Sequence, residues 1–165
     1  MNLLVEEWEK ACFMLLALLL TVAMVACGGA KANNGNKAKD VDVAKLAAEL
    51  AEKVKFDAEL KELSSDMLGN YVNLPEGAQA AGYMSAGATS EEIFAIRCAD
   101  DGSAKAVKAD IEAFLSAQRA EMERYQPEEA ARMDNAVLKQ QGTVVVLCVT
   151  SDTDTAEKIV KEYLG

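Results

Sequence analysis

The chain has 165 residues, 17 Lys and Arg against 27 Asp and Glu, a formal net charge of -10, and no histidine. This length allows one ordinary domain plus a targeting segment. The acidic balance argues against a nucleic-acid partner, which needs a concentrated basic face, and the lack of histidine excludes Ser-His-Asp and Cys-His catalysis.

The first predicted element is apolar. No residue between Ala11 and Ala30 is charged, and the stretch "LLLTVAMVACGG", Leu18 to Gly29, ends on a cysteine and two glycines. A secretory signal has such a core followed by small residues at its cleavage point. "MVACG" resembles a bacterial lipobox, in which the cysteine receives a diacylglyceryl group and a signal peptidase cuts just before it. The resemblance makes Cys27 the lipidation site and residues 1–26 a lipoprotein signal peptide. The alternative is an uncleaved transmembrane helix, because twenty residues at 1.5 Å rise span roughly the 30 Å hydrocarbon core. Charge bias leans that way: Lys10 stands among Glu6, Glu7 and Glu9, whereas Lys31, Lys37 and Lys39 follow the apolar run. We take the lipobox reading, since a cysteine so flanked at this point rarely arises by chance.

Residues 27–40 read as a tether. "GGAKANNGNKAK" has almost no apolar surface to bury and reaches roughly 20 Å as a flexible coil. Residues 41–165 form a single domain. Val43, Leu46, Ala47, Leu50, Ala51 and Val54 recur at helical spacing behind Asp42, a capping residue. A second short helix is expected to carry Leu60, Leu63 and Met67. Asn70 to Leu74 then reads as a strand stopped by Pro75 and Gly77, and "AAGYMSAG" as another. "EEIFAIRCA" is a strand with Phe94, Ile96 and Cys98 on one face and Ile93 and Ala95 on the other.

A long helix is expected from Ser103 to Tyr125, with Asp100, Asp101 and Ser103 as its turn and cap and Val107, Ile111, Phe114, Leu115 and Met122 as its stripe. Pro127 suits the first turn of the next helix. "NAVLKQQGTVVVLCVTS" predicts a hairpin turning at Gln141 and Gly142, whose second strand, apolar on both faces, lies inside the sheet. The last helix, Thr153 to Leu164, packs Ala156, Ile159, Val160 and Tyr163. This order predicts an α+β fold: an antiparallel or mixed sheet of about five strands with helices packed on it.

From Asp66 onward the chain resembles the domain of unknown function 4358 family of small lipoproteins from clostridia-type Gram-positive bacteria. "YVNL", "EEIFAI", an arginine ahead of "YQP", and "NAVLKQQGTVVVLCVTSD" carry the resemblance, through Tyr71, Glu92, Arg119, Tyr125, Pro127, Gly142 and Asp152. It implies a lipobox, in keeping with Cys27, and no catalytic residue.

Candidate chemistry is sparse. "GYMSAGAT" has the glycines of a phosphate loop, but Ala88 stands where the lysine belongs, and Tyr83 replaces the first glycine of a nucleophile elbow around Ser85. Asp152 and Asp154 in "SDTDT" suit a helix N-terminus better than Ca²⁺. Cys98 and Cys148, both on predicted strands, are either a disulfide pair or two buried thiols. Arg119 either binds an anionic ligand, with Tyr125 nearby, or ties its helix to an acid.

The expectation is a non-catalytic domain without metal or cofactor. It is held on the outer face of the cell membrane by a lipid anchor and binds an envelope protein, a peptide or a wall component. The alternative is an extracytoplasmic hydrolase using carboxylates or a metal; Glu91 and Glu92, adjacent on one strand, point to opposite faces and do not support it.

Overall fold

The computed structural model describes residues 40–87 and 89–165. Helix α1, Val43–Lys53, starts where the Asp42 carboxylate accepts the Lys45 N–H at 3.0 Å, and it buries Val43, Leu46, Ala47 and Leu50. Strand β1, Leu60–Leu63, leads to the single turn α2, Ser65–Leu68, which the Ser64 hydroxyl caps. Strands β2, Gln79–Ser85, and β3, Glu92–Arg97, follow.

Helix α3, Asp101–Tyr125, is capped by Asp100, which accepts the Ser103 N–H at 2.9 Å. Gln126 ends it and begins α4, Pro127–Asp134, with proline at the first turn where its missing N–H costs nothing. Strands β4, Val137–Gln141, and β5, Val144–Val149, form a hairpin, and α5, Thr153–Leu164, closes the domain. Gly142, the first residue of the two-residue turn, has φ 54°, a left-handed conformation that favours glycine.

The sheet has five strands in the order β1-β2-β3-β5-β4, and every neighbouring pair is antiparallel. The α+β fold with a five-stranded sheet is therefore as expected, and the sheet is antiparallel rather than mixed. β3 and β5 are covered on both faces. Ile93, Ala95, Val144, Val146 and Cys148 pack with α1 and α5; Phe94, Ile96, Val145, Leu147 and Val149 pack with α2, α3 and α4. Period-two alternation in two apolar strands feeds two cores at once, and each fully buried side chain contributes about 1.5–3 kcal/mol.

Two expected elements change. Leu60 and Leu63 lie on a strand, not a helix: hydrogen bonds to β2 register Leu60 against Ser85 and Leu63 against Gly82. Asn70 to Leu74 forms no strand, because the Tyr71 and Val72 N–H groups turn back to the Leu68 carbonyl and prolong α2 as a turn. The β4–β5 turn is centred one residue later than expected, on Gly142 and Thr143.

Gly82 shows how closely α2 is set on the sheet. A Cβ there would stand 2.8 Å from Leu68 Cδ1 and 3.1 Å from the Ile93 carbonyl oxygen. Gly82→Ala is expected to lose about 1–3 kcal/mol in urea unfolding. A neutral result would mean that α2 lifts off freely.

Candidate functional site

One end of the sheet collects the chain's buried charge. The start of β3, the end of β5, the α1–β1 loop and α4 converge there. Glu91 is fully buried, and its two oxygens accept the backbone N–H groups of Asp57 at 2.8 Å and Ala58 at 2.9 Å; the Thr89 hydroxyl adds a third bond at 3.2 Å. Glu129, in the first turn of α4, accepts the Ser90 N–H at 2.7 Å and the Ser90 hydroxyl at 2.8 Å.

Arg132 lies one turn further along α4. Its guanidinium donates to Glu129 at 2.5 Å, to the Ser151 hydroxyl at 3.1 Å and to the Asp57 carboxylate. It is fixed as a three-way clamp between α4, the α1–β1 loop and the β5–α5 loop. Burial works against charge on Glu129, but Ser90 and Arg132 together outweigh it and hold the carboxyl below the ordinary glutamate range. Next to this, the Thr150 hydroxyl donates to the Lys55 carbonyl at 2.8 Å, and Asp152 accepts the Lys55 N–H at 3.3 Å. Asp152 is held low by the Thr155 hydroxyl first and the Lys55 N–H second.

This junction binds its own polar groups to one another. The carboxylates of Glu91, Glu129, Asp57 and Asp152 and the Arg132 guanidinium are taken up in the fold, which is the arrangement of a structural knot rather than of a nucleophile with a free base. A cavity of about 370 Å³ adjoins it, lined by Arg132, Asn135, Thr150 and Ser151 among others. A larger groove of about 580 Å³ runs between the edge of β4 and α5, with Val160 and Leu164 as apolar lining and Lys139, Lys158, Lys161, Asp154 and Glu157 around them. Among the described residues no cluster of three or more acidic, histidine or cysteine side chains is placed to hold a metal ion.

The residues singled out from sequence are dispersed. Arg119 ties α3 to α4 through Asp134, with contacts of 2.5 and 3.0 Å, and reaches Glu123 at 3.4 Å, which matches the acid-tying reading. Asp134 is held below its usual range by that guanidinium. Tyr125, 79% exposed, stands at the end of α3.

Cys98 and Cys148 are free and buried, and they face opposite cores. Cys148 is registered against Ile93, five residues along β3 from Cys98, so roughly 17 Å of strand separates them, beyond disulfide reach. The pairing considered from sequence is thus replaced by two inert thiols; burial pushes Cys148 up to about 12. Asp100 and Asp152 stand at helix N-termini as expected. Glu129 does not merely favour the helix dipole, since its carboxylate is bonded to Ser90. Cys27, the tether to Lys39 and Ala88 lie outside the described residues.

Sequence reasoning missed Glu91, Glu129 and Arg132 as a unit. The available signal was the occurrence of acids at strand and helix starts, "TSEE" and "PEEAAR", which resembles ordinary capping. Among the described residues no helix is long and apolar enough to cross a membrane. The family described as Domain of unknown function (DUF4358) matches residues 59–150. No curated protein and no solved structure matched the chain.

Proposed function

Because the chain belongs to the Domain of unknown function (DUF4358) family, whose description assigns no reaction, we propose from its own features that it is a lipid-anchored, non-catalytic binding module on the outer face of the cell membrane. The observation that carries this reading is Cys27, set in "MVACGG" at the end of an uncharged run and at the head of a glycine- and asparagine-rich tether. Two acyl chains supply stable anchoring, since each buried methylene contributes about 0.8 kcal/mol. The tether then carries the domain clear of the headgroups.

The sheet-end junction argues against a nucleophile-and-base site there, because Glu91, Glu129 and Arg132 are already engaged within the fold. The groove beside β4 is the surface we assign to the ligand. β4 is an edge strand, and an extended peptide can add to such an edge while its side chains meet Val160, Leu164 and the flanking charges of both signs.

Radiolabelled palmitate is expected to enter the wild-type protein and not Cys27→Ala. Equal labelling of both would overturn the anchor. Protease added to intact protoplasts is expected to digest the domain; full protection would place it on the inner side.

A further inference from the structure

The groove beside β4 has a direction as well as a shape. Helix α5 follows β5 and doubles back along it, so it runs parallel to β4. Asp154 lies towards the Val137 end of the strand and Leu164 towards the Gln141 end. Lys139 sets the level: it shares the α5 face through its register against Val146, and its ammonium stands 3.9 Å from Glu157. From that pair, four helix residues reach Lys161 and two strand residues reach Gln141, about 6 Å and 6.6 Å along the same direction. Three residues back on the helix is Asp154, beside the start of the strand.

The stripe of α5 that lines the groove, Asp154, Glu157, Lys158 and Lys161, therefore changes sign along its length. Glu157 and Lys139 answer each other in the middle. Among the described residues no ion pair involves Asp154, Lys158 or Lys161, and all three are exposed. One end is acidic and the other basic.

The edge also has a hydrogen-bonding register. The two-residue turn at Gly142 and Thr143 makes Gln141 and Val144 the closing hydrogen-bonded pair, and such pairs recur at every second residue. The N–H and C=O groups of Val137, Lys139 and Gln141 thus point to β5, and those of Leu138 and Gln140 point out from the sheet. The Cys98 N–H bond to the Thr143 carbonyl, on the β3 side, keeps the complementary register. A second copy is a poor occupant, because β4 paired with itself about its midpoint sets Lys139 against Lys139.

Taking the groove as the peptide site assigned above, we propose that it selects its occupant by charge order. The occupant is an extended segment, antiparallel to β4, with an acidic side chain near its N-terminal end and a basic one four residues on. Antiparallel addition continues the pattern of every pair in the sheet and is slightly more stable than parallel pairing. Alternate side chains then face α5, the acid meeting Lys161 opposite Gln141 and the base meeting Asp154 opposite Val137. An uncharged residue between them stands opposite Lys139, whose charge Glu157 already answers.

Fluorescence anisotropy of the full chain in nonionic detergent tests this with two fluorescein-labelled peptides. One is acetyl-Thr-Glu-Thr-Val-Thr-Lys-Thr-amide, and the other has Glu and Lys exchanged. The Glu-first peptide is expected to bind about tenfold more tightly at low salt, with the margin shrinking as salt rises. Equal binding of both would overturn the charge order and leave the peptide site standing; binding of neither would overturn both.

Methylating the amide nitrogens of the two threonines beside valine removes the donors that face Leu138 and Gln140, and is expected to abolish binding. Unchanged binding would refute strand addition. Asp154→Asn with Lys161→Gln, both at exposed positions, is expected to remove most of the preference while the domain stays folded. An unchanged preference would place the peptide elsewhere. A dimer in sedimentation that the peptide fails to dissociate would seat a second copy in the groove and overturn the proposal.

Discussion

Arg132→Met is expected to lower unfolding free energy by about 3 kcal/mol, the low end of the 3–5 kcal/mol range for removing one partner of a buried ion pair. The low end applies because one acceptor, Asp57, keeps 66% of its side chain in water, and such exposed pairs contribute no more than about 1 kcal/mol. The loss comes from Glu129, whose buried carboxylate would keep Ser90 but lose its cation. Chemical unfolding of Arg132→Met, Glu129→Gln and the double variant measures it. Strong coupling is expected between the two. A total loss below 1 kcal/mol would mean that water replaces the guanidinium.

The acid limb gives a second readout on the same residues. Glu129 is held below the ordinary glutamate range, so its contribution is present at neutral pH and fades as pH falls below about 4.5. Removing Arg132 takes away part of what opposes burial. Arg132→Met should therefore lose less stability than wild type on acidification.

Phe94→Ala is expected to be at least as damaging, about 3–5 kcal/mol, the usual cost of emptying a buried aromatic site. Phe94 has no exposed surface and completes a cluster of three mutually contacting rings, with Tyr71 at 6.2 Å and Phe114 at 5.9 Å. Tyr71 comes from the turn after α2 and Phe114 from α3, so one side chain ties both to β3. Thermal unfolding should show the loss, and Phe94→Leu should recover more than half of it. Equal damage from both would point to ring stacking rather than volume as the source.

The elements that could be read from sequence are those whose periodicity matches one environment. α1, α3 and α5 present one apolar stripe each to one core, and β3 and β5 are apolar on both faces because both are covered. The failures have local causes. Leu60, Leu63 and Met67 have helical spacing by coincidence: the first two belong to a short edge strand, and Met67, on α2, is 49% exposed. Tyr71 and Val72 have strand propensity, but the Leu68 carbonyl takes both N–H groups.

The buried junction was hidden for a different reason. Glu91, Glu92 and Glu129 are enclosed only once chain segments more than thirty residues apart have met, as in the bonds from Asp57 to Glu91 and from Ser90 to Glu129. Pattern reading places acids outside, and it has no means of pairing them across such separations.

The family match, residues 59–150, takes in all five strands and α2 to α4 but neither α1 nor α5. Those two outlying helices roof one whole side of the sheet and are stitched to each other, the Tyr163 hydroxyl donating to Glu49 at 2.6 Å. The shared segment is therefore a half-dressed sheet. Trimmed to those limits, it would bare Ile93, Val144, Val146 and Cys148 as a sticky panel, so the smallest self-sufficient unit of this chain must include both flanks.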